Sequence, residues 1–157
     1  MIKTALRTLA FAGALSALSG MAFAGDCPAD KVKAGATPPG TAPASGVTDD
    51  VLTTIDIVKI NPAFKDNMFR MRRLVVQPGG VVPWHSHGER PANIYIVSGS
   101  ITEYRSSCSV PIEHKAGEAV AEAGKEIAHW WKNNTDQPTV LISADILHME
   151  SKDKHHM

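Results

Sequence analysis

Residues 79–99 have the sequence GGVVPWHSHGERPANIYIVSG, and this is the most informative stretch of the chain. It contains two histidines, His85 and His87, at a spacing of two. Because successive side chains of a β-strand point to opposite faces, a strand here would place both imidazoles on one face. Two neutral imidazoles on one face can bind one metal ion, although a His-x-His pair also arises by chance on exposed strands. The stretch therefore indicates a strand, with half of a metal site as one interpretation.

Short runs rich in β-branched and aromatic residues, separated by Gly, Pro and Asn, continue on both sides of this stretch. They predict eight strands, over residues 53–60, 67–76, 81–87, 93–97, 101–105, 119–122, 127–132 and 139–146. Strands of this length with turn signals at this spacing favour an all-β sandwich or barrel. No helix-length amphipathic pattern interrupts them.

The composition limits the classes of protein to consider. The chain has 157 residues, 43% of them hydrophobic, with 16 basic and 16 acidic side chains. This length fits one domain with a real core. Zero formal charge and the lack of a basic block argue against a nucleic-acid partner. The sequence also lacks a G-x-S-x-G elbow, a phosphate-binding glycine loop and a Cys-x-x-Cys motif, which disfavours serine hydrolases, kinases and thioredoxins.

Residues 1–24 have the features of a secretory signal peptide. Lys3 and Arg7 precede an apolar run over 9–18, and Ala22-Phe23-Ala24 forms a small-x-small cleavage site. The alternative is a membrane anchor, but the uncharged run is short and diluted by Gly and Ser. We therefore expect cleavage after Ala24 and a periplasmic or secreted product without a membrane span.

The two cysteines, Cys27 and Cys108, are a disulfide candidate in such a compartment, with two free thiols as the alternative. The Ala-, Pro- and Gly-rich segment 25–50 is expected to be a flexible arm. Residues 51–147 would then form the β-domain, and 148–157 a polar tail.

A third candidate metal ligand lies within the predicted strand 127–132. Alternation puts His129, Trp131 and Asn133 on one face. A single histidine beside tryptophans is more often a hydrogen-bonded core residue than a ligand. His114 lies in a polar segment and is expected at the surface. The histidines at 155 and 156, near the chain end, would bind only adventitious metal.

The spacing around the histidine pair resembles the first motif of the cupin family, G-x5-HxH-x3/4-E-x6-G. Gly79, His85, His87 and Gly99 stand at the motif positions. Ala92 occupies the position where the family places a metal-binding Glu.

The second cupin motif, G-x5-PxG-x2-H-x3-N, is matched more loosely. Gly117, His129 and Asn133 fit its first and last positions. The Pro and the second Gly are missing, and one extra residue precedes His129. The resemblance implies an all-β, cupin-type jelly-roll barrel.

The resemblance also implies one divalent transition metal (Fe, Mn, Ni, Cu or Zn) held by His85, His87 and His129. Alternation places Trp131 and Asn133 on the face of His129, and the motif position places Ala92 toward the metal, so these three residues are expected to line the pocket. The three histidines would form a metal site that lacks the usual Glu.

Other charged residues could contribute to this site. Glu89 continues the alternation of the histidine pair and could replace the missing ligand, although a solvated turn position is the alternative. Glu122 and Glu126 are weaker candidates. The arginines at 70, 72 and 73 are expected to be solvated, unless one faces an anionic ligand.

As an enzyme, the implied class is a mononuclear, iron-type dioxygenase acting on a small organic molecule. Metal-assisted isomerisation or decarboxylation is the neighbouring possibility. The alternative of a different class is a non-catalytic cupin that binds a small ligand or the metal itself in the periplasm. A homodimer is common in the family, but the sequence does not indicate a pairing edge.

Overall fold

The computed structural model describes residues 25–149. The predicted signal peptide and the histidines at 155 and 156 lie outside the described residues. Within residues 25–149, no helix is both long and apolar enough to cross a membrane.

The described residues form eight β-strands and three 3-10 helices of three residues each. The strands are β1 (Ser45–Asp56), β2 (Asn67–Ser86), β3 (Ala92–Ser98), β4 (Ser100–Arg105), β5 (Ile112–Lys115), β6 (Ala119–Glu122), β7 (Ala128–Lys132) and β8 (Thr139–His148). The 3-10 helices are Ala29–Lys31, Ile57–Lys59 and Pro62–Phe64.

The strands build one curled antiparallel sheet in the order β5-β4-β7-β2-β8-β3-β6, with β1 paired to β2. Strands β3, β4, β7 and β8 alternate between buried and more exposed residues, as expected for a sheet with one face turned to a core. The core residues are Leu74, Val76, Val82, Ile94, Ile96, Ile101, Val120, Trp131 and Leu141. The all-β prediction is confirmed, and the curled sheet is consistent with a jelly roll.

Strand β2 joins two segments that the sequence predicts as separate strands, because the glycines between them do not reverse the chain. Gly79 adopts a positive φ of 74°, which favours glycine. A Cβ on Gly80 would lie 2.8 Å from the carbonyl oxygen of Gln77, so only glycine fits. The Gly79 N–H donates to the Asn133 carbonyl, and the Asn133 N–H donates to the Gly80 carbonyl. These bonds tie the middle of β2 to the end of β7.

Two further strands differ from the prediction. Strand β5 has no predicted counterpart, because its buried positions hold Ile112 and a histidine that looks polar in the sequence. Strand β1 is mostly exposed and has no clear apolar alternation, so its extent is set by pairing with β2. The predicted boundary between residues 50 and 51 falls inside β1.

The predicted disulfide between Cys27 and Cys108 is confirmed, with the two Cα atoms 5.7 Å apart. Beside it, Val32 forms a β-bridge with Cys108. The Thr37 hydroxyl donates a 2.9 Å hydrogen bond to the Cys108 carbonyl. The segment before β1 is therefore attached to the loop between β4 and β5.

Candidate metal centre

Three histidine rings meet on the concave face of the sheet. In the register of β2 and β7, His85 lies directly opposite His129, so both side chains point the same way. His87 follows the end of β2 by one residue and is also buried. The Nε2 atom of His129 lies 3.1 Å from the Nε2 atom of His85 and 3.1 Å from that of His87. The structure thus brings the three predicted ligands together.

Backbone carbonyls orient two of these rings. The Nδ1 atom of His85 lies 2.9 Å from the carbonyl oxygen of Pro83, and the Nδ1 atom of His87 lies 2.9 Å from that of Arg90. A carbonyl oxygen only accepts, so each Nδ1 carries the proton and donates it. The lone pair of each Nε2 therefore faces the other rings.

A buried carboxylate orients the third ring in the same way. The Nδ1 atom of His129 lies 2.5 Å from Oε1 of Glu103, a fully buried residue of β4. The indole N–H of Trp131 is 3.1 Å from the same Nδ1. A nitrogen that gives its proton to a carboxylate has no lone pair for a second donor, so the bond to Glu103 fixes the ring. This carboxylate–histidine arrangement is the usual support of a metal-binding imidazole.

Glu103 stays ionised because several donors surround it. Burial by itself would raise its pKa, but hydrogen bonds from His114 and His129 hold that pKa well below its usual range. Arg105 adds two further hydrogen bonds, at 2.6 and 3.0 Å. His114 is fully buried, which corrects its predicted surface position. It stacks on Trp131 with ring centroids 4.7 Å apart.

The arrangement of the rings fits a metal ion. An ion about 2.1 Å from two nitrogens, with bonds near 90°, separates those nitrogens by about 3.0 Å. Burial, and then the nearby His129 and His87, lower the pKa of His85 well below its ordinary value, so this ring is neutral. The three rings also offer ligand nitrogens that lie close enough together for one cation to bind all of them.

Other carboxylates differ from their expected positions. Glu89 is exposed, because β2 ends at Ser86 and the following turn buries Arg90 instead. The structure therefore does not place Glu89 with the histidines. Glu122 of β6, a weaker candidate in the sequence, is fully buried, and its Oε2 atom lies 3.0 Å from Nε2 of His87.

A small pocket opens beside His85 and His87. Its lining residues are Arg72, Leu74, Val82, His85, His87, Arg90, Ile94, Trp131, Leu141 and Ser143. Trp131 lines it as expected. Ala92 is buried on the same side of β3 as Ile94 but does not line the pocket. The pocket is narrow: the centre of a water molecule can occupy a volume of about 20 Å³ in it.

Asn133 also lies outside this pocket, because its amide group serves the loop between β7 and β8. Its Nδ2 atom donates to the carbonyls of Val76 and Gln137, at 2.9 and 2.7 Å. Its Oδ1 atom accepts from the N–H and the hydroxyl of Thr135. Asn133 thus closes the turn after β7.

Two of the three arginines expected to be solvated are not: Arg72 is buried and Arg70 nearly so, whereas Arg73 is exposed. Asp145 of β8 accepts from Arg70 at 3.0 and 2.7 Å and from Arg72 at 3.2 Å. A guanidinium nitrogen of Arg90 lies 3.7 Å from the same carboxylate. Burial would raise the pKa of Asp145, but these arginines outweigh burial and lower it. Arg72 and Arg90 form the charged wall of the pocket.

Comparisons with known proteins agree with this architecture. The Cupin_2 model, described as a cupin domain, matches residues 72–145. The chain is similar to a cupin-2 domain protein from Rhodospirillum rubrum, with 17% identity and a TM-score of 0.51, covering 68% of this chain and 63% of that one. It is also similar to the cupin domain of Cnp3 from Schizosaccharomyces pombe, with 10% identity and a TM-score of 0.51, covering 67% of this chain and 68% of that one.

At these identities the structural likeness concerns the fold alone. No curated protein matches the sequence. The family match spans all three histidines of the centre, all of β7 and most of β2. Residues 72–145 therefore form a cupin domain.

Proposed function

We propose that this protein binds one divalent transition metal through His85, His87 and His129 and acts as a metal-dependent oxygenase on a small anionic molecule. The observation that carries the proposal is the orientation of the three rings. Every Nδ1 lies within hydrogen-bond distance of a carbonyl or carboxylate oxygen, and the three Nε2 atoms converge. When bound, the metal would supply open coordination positions for dioxygen and for an oxygen of the substrate.

The charge of the pocket wall supports an anionic ligand. Arg72 and Arg90 line the pocket beside the histidines, whereas no Asp or Glu of the described chain lines it. Apart from the two histidines proposed as metal ligands, the titratable side chains of this wall are Arg72 and Arg90, and arginine stays protonated. The wall therefore favours chemistry at the metal over proton transfer by a side chain.

The narrow pocket favours a second candidate function, a carrier of metal or of a small anion. The volume of the pocket is enough for about one or two water molecules. A ligand would enter with its anionic group while the rest stays at the mouth of the pocket. Such a site can retain a ligand without turning it over.

The test of metal binding is metal content per chain, measured by elemental analysis. The background is the full chain with His155→Ala and His156→Ala, which removes the adventitious site. We expect about one ion per chain, lost in His87→Ala and in His129→Ala. His148→Ala, at the end of β8, is the matched control and should keep the ion. Retention of the ion in both variants of the centre would overturn the proposal.

The test of activity is oxygen uptake by the metal-loaded protein with a panel of small acids, diketones, thiols and phenols. Uptake that depends on His129 supports the oxygenase. Tight retention of one acid without uptake supports the carrier. Weaker retention after Arg72→Gln would assign the anionic group to the charged wall.

We also propose that the protein is exported. The disulfide supports an oxidising compartment, because such bonds are rare in reducing cytosol. The positive, apolar and small-residue pattern of residues 1–24 supports a cleaved signal. N-terminal sequencing of the protein from its native compartment should begin at Gly25, and a chain that begins at Met1 would contradict export.

A further inference from the structure

We infer that the amino group of Gly25, released when the signal peptide is removed, docks on the buried ring of His114 and stabilises the folded domain. The inference rests on the proposed export and on cleavage after Ala24, but not on the metal centre. Hydrolysis by a signal peptidase breaks the peptide bond between Ala24 and Gly25. Water supplies a hydroxyl group to the carbonyl carbon of Ala24 and a proton to the nitrogen of Gly25. At neutral pH the new acid loses a proton and most of the new amine takes one up.

The ring of His114, on β5, has one nitrogen without a partner. The ring is fully buried, and its Nε2 atom lies 2.9 Å from Oε2 of Glu103. A carboxylate oxygen accepts, so Nε2 carries a proton and the Nδ1 atom of the neutral ring offers a lone pair. Within residues 25–149, this Nδ1 atom has no hydrogen-bond partner. A buried acceptor without a donor is destabilising, so the position calls for a donor.

The backbone of Gly25 lies against that nitrogen. A Cβ atom added to Gly25 would lie 2.6 Å from Nδ1 and 3.0 Å from Cε1 of His114, which is too close for a real side chain. Gly25 also has a φ of 100°, a conformation that favours glycine. The nitrogen of Gly25 is bonded to the same Cα atom, so an amine at this position is within reach of Nδ1.

The two residues that follow hold this end of the chain in place. A carboxylate oxygen of Asp26 lies 3.9 Å from a guanidinium nitrogen of Arg105. Cys27 is bonded to Cys108 through the disulfide. Because the chain is already fixed immediately after the cleavage site, little further conformational entropy is lost when the amine docks.

A free ammonium group suits this position better than a peptide nitrogen. A peptide nitrogen offers one N–H, which is held in the plane of the peptide bond. An ammonium group offers three and rotates about its bond to Cα. A hydrogen bond from a charged donor is also stronger than one from a neutral donor. Cleavage therefore supplies the donor that the buried ring lacks.

The experiment compares three oxidised chains that end at Met157 and begin at Ala24, at Gly25 or at Asp26. All eight strands lie within each of them. The amine is correctly placed in the chain that begins at Gly25 and is displaced by one residue in the other two. We expect the thermal midpoint of the Gly25 chain to be about 5 °C above those of the other two. At neutral pH, an amine-reactive ester should label the terminal amine of the Gly25 chain at least about tenfold more slowly than that of the Ala24 chain.

Two sets of variants test the contact itself. Gly117 has a φ of 91° and open space around an added Cβ, so Gly117→Ala is the matched control for backbone strain. Gly25→Ala should lower the midpoint of the Gly25 chain more than Gly117→Ala does. His114→Phe keeps an aromatic ring and removes the acceptor, so the chains that begin at Ala24 and at Gly25 should then have equal midpoints.

The outcomes distinguish this inference from the proposed export. Equal midpoints and equal labelling rates in the Ala24 and Gly25 chains would overturn the docking of the amine, wherever the native chain begins. A difference that persists in His114→Phe would assign the stabilisation to another contact and overturn it as well. A native chain that begins at a residue other than Gly25 would contradict the proposed cleavage instead.

Discussion

Two buried carboxylates flank Ala92 in one row across three strands, and their surroundings differ. Asp145, on β8, is bound by Arg70 and Arg72 through hydrogen bonds of 2.7 to 3.2 Å. Glu122, on β6, is equally buried but has no hydrogen-bond partner among the described residues. Arginines surround Asp145, whereas the oxygens of Glu122 lie 3.0 Å from Nε2 of His87 and 3.3 Å from Nδ1 of His129. The comparison separates a carboxylate that is held by arginines from one that contacts the histidines of the proposed metal centre.

The two clusters also contact different elements. The Asp145 cluster joins β2, β8 and the turn that holds Arg90, so it links strands on one side of the pocket. The histidine cluster joins β2 and β7 on the other side, with support from Glu103 of β4. Substitutions in the first cluster should therefore change stability, and substitutions in the second should change metal binding.

The largest expected effect is on stability in Asp145→Asn. The change leaves the buried Arg72 beside a neutral amide, and breaking a buried ion pair from one side costs about 3 to 5 kcal/mol. Urea denaturation of the metal-free protein measures the loss. Asp50→Asn removes an exposed ion pair with Arg73 and should cost less than about 1 kcal/mol. Equal losses in the two variants would show that the buried cluster is not what stabilises the sheet.

The next effect concerns metal affinity in Glu103→Gln. Glutamine cannot hold the Nδ1 proton of His129 as strongly, so the ring is less well oriented and less basic. We expect metal affinity to fall about 10- to 100-fold. Glu113→Gln, an exposed change on β5, is the control and should leave affinity unchanged. An affinity in Glu103→Gln that matches the control would mean that packing alone orients the ring.

A smaller effect is the pH dependence of stability that Asp145 contributes. Its folded pKa is lowered, because the bonds and charges of Arg70 and Arg72 outweigh burial. The unfolded chain therefore takes up this proton first, at about pH 3.9. The contribution is complete above that pH and is lost as pH falls through the lower folded pKa. Denaturation midpoints between pH 6 and 3 should fall less steeply in Asp145→Asn than in the unchanged protein, and parallel curves would contradict this assignment.

The smallest effect is expected in the metal-free protein with His85→Ala. The change removes a ring that lines the pocket and one hydrogen bond to a backbone carbonyl. One such hydrogen bond contributes about 1 kcal/mol, so we expect stability to fall by about that amount. Saturating metal should then stabilise the unchanged protein, by about 2.7 kcal/mol at 100 times the dissociation constant, but not the variant. Differential scanning calorimetry with and without metal measures both, and a large loss without metal would make His85 a structural residue.

The sequence indicated those parts of the centre that follow from alternation along one strand. His85 and His87 at a spacing of two, and His129 with Trp131 two residues later, are local patterns that a strand converts into shared faces. The sequence also predicted the disulfide, because two cysteines in an oxidising compartment are expected to pair. The sequence did not predict the strand Ile112–Lys115. A strand is predicted from alternating apolar residues, and the buried residue at position 114 is a histidine.

The amino-acid sequence by itself determined the all-β class, the cysteine pair and the three candidate imidazoles, because strand periodicity and residue chemistry are local properties. Only the tertiary structure decided which carboxylates join them. Glu103 and Glu122 come from other strands, and sheet register brings them into contact with His129 and His87. Register depends on the packing of all strands together, so no spacing in the sequence shows that Glu122 lies beside Ala92.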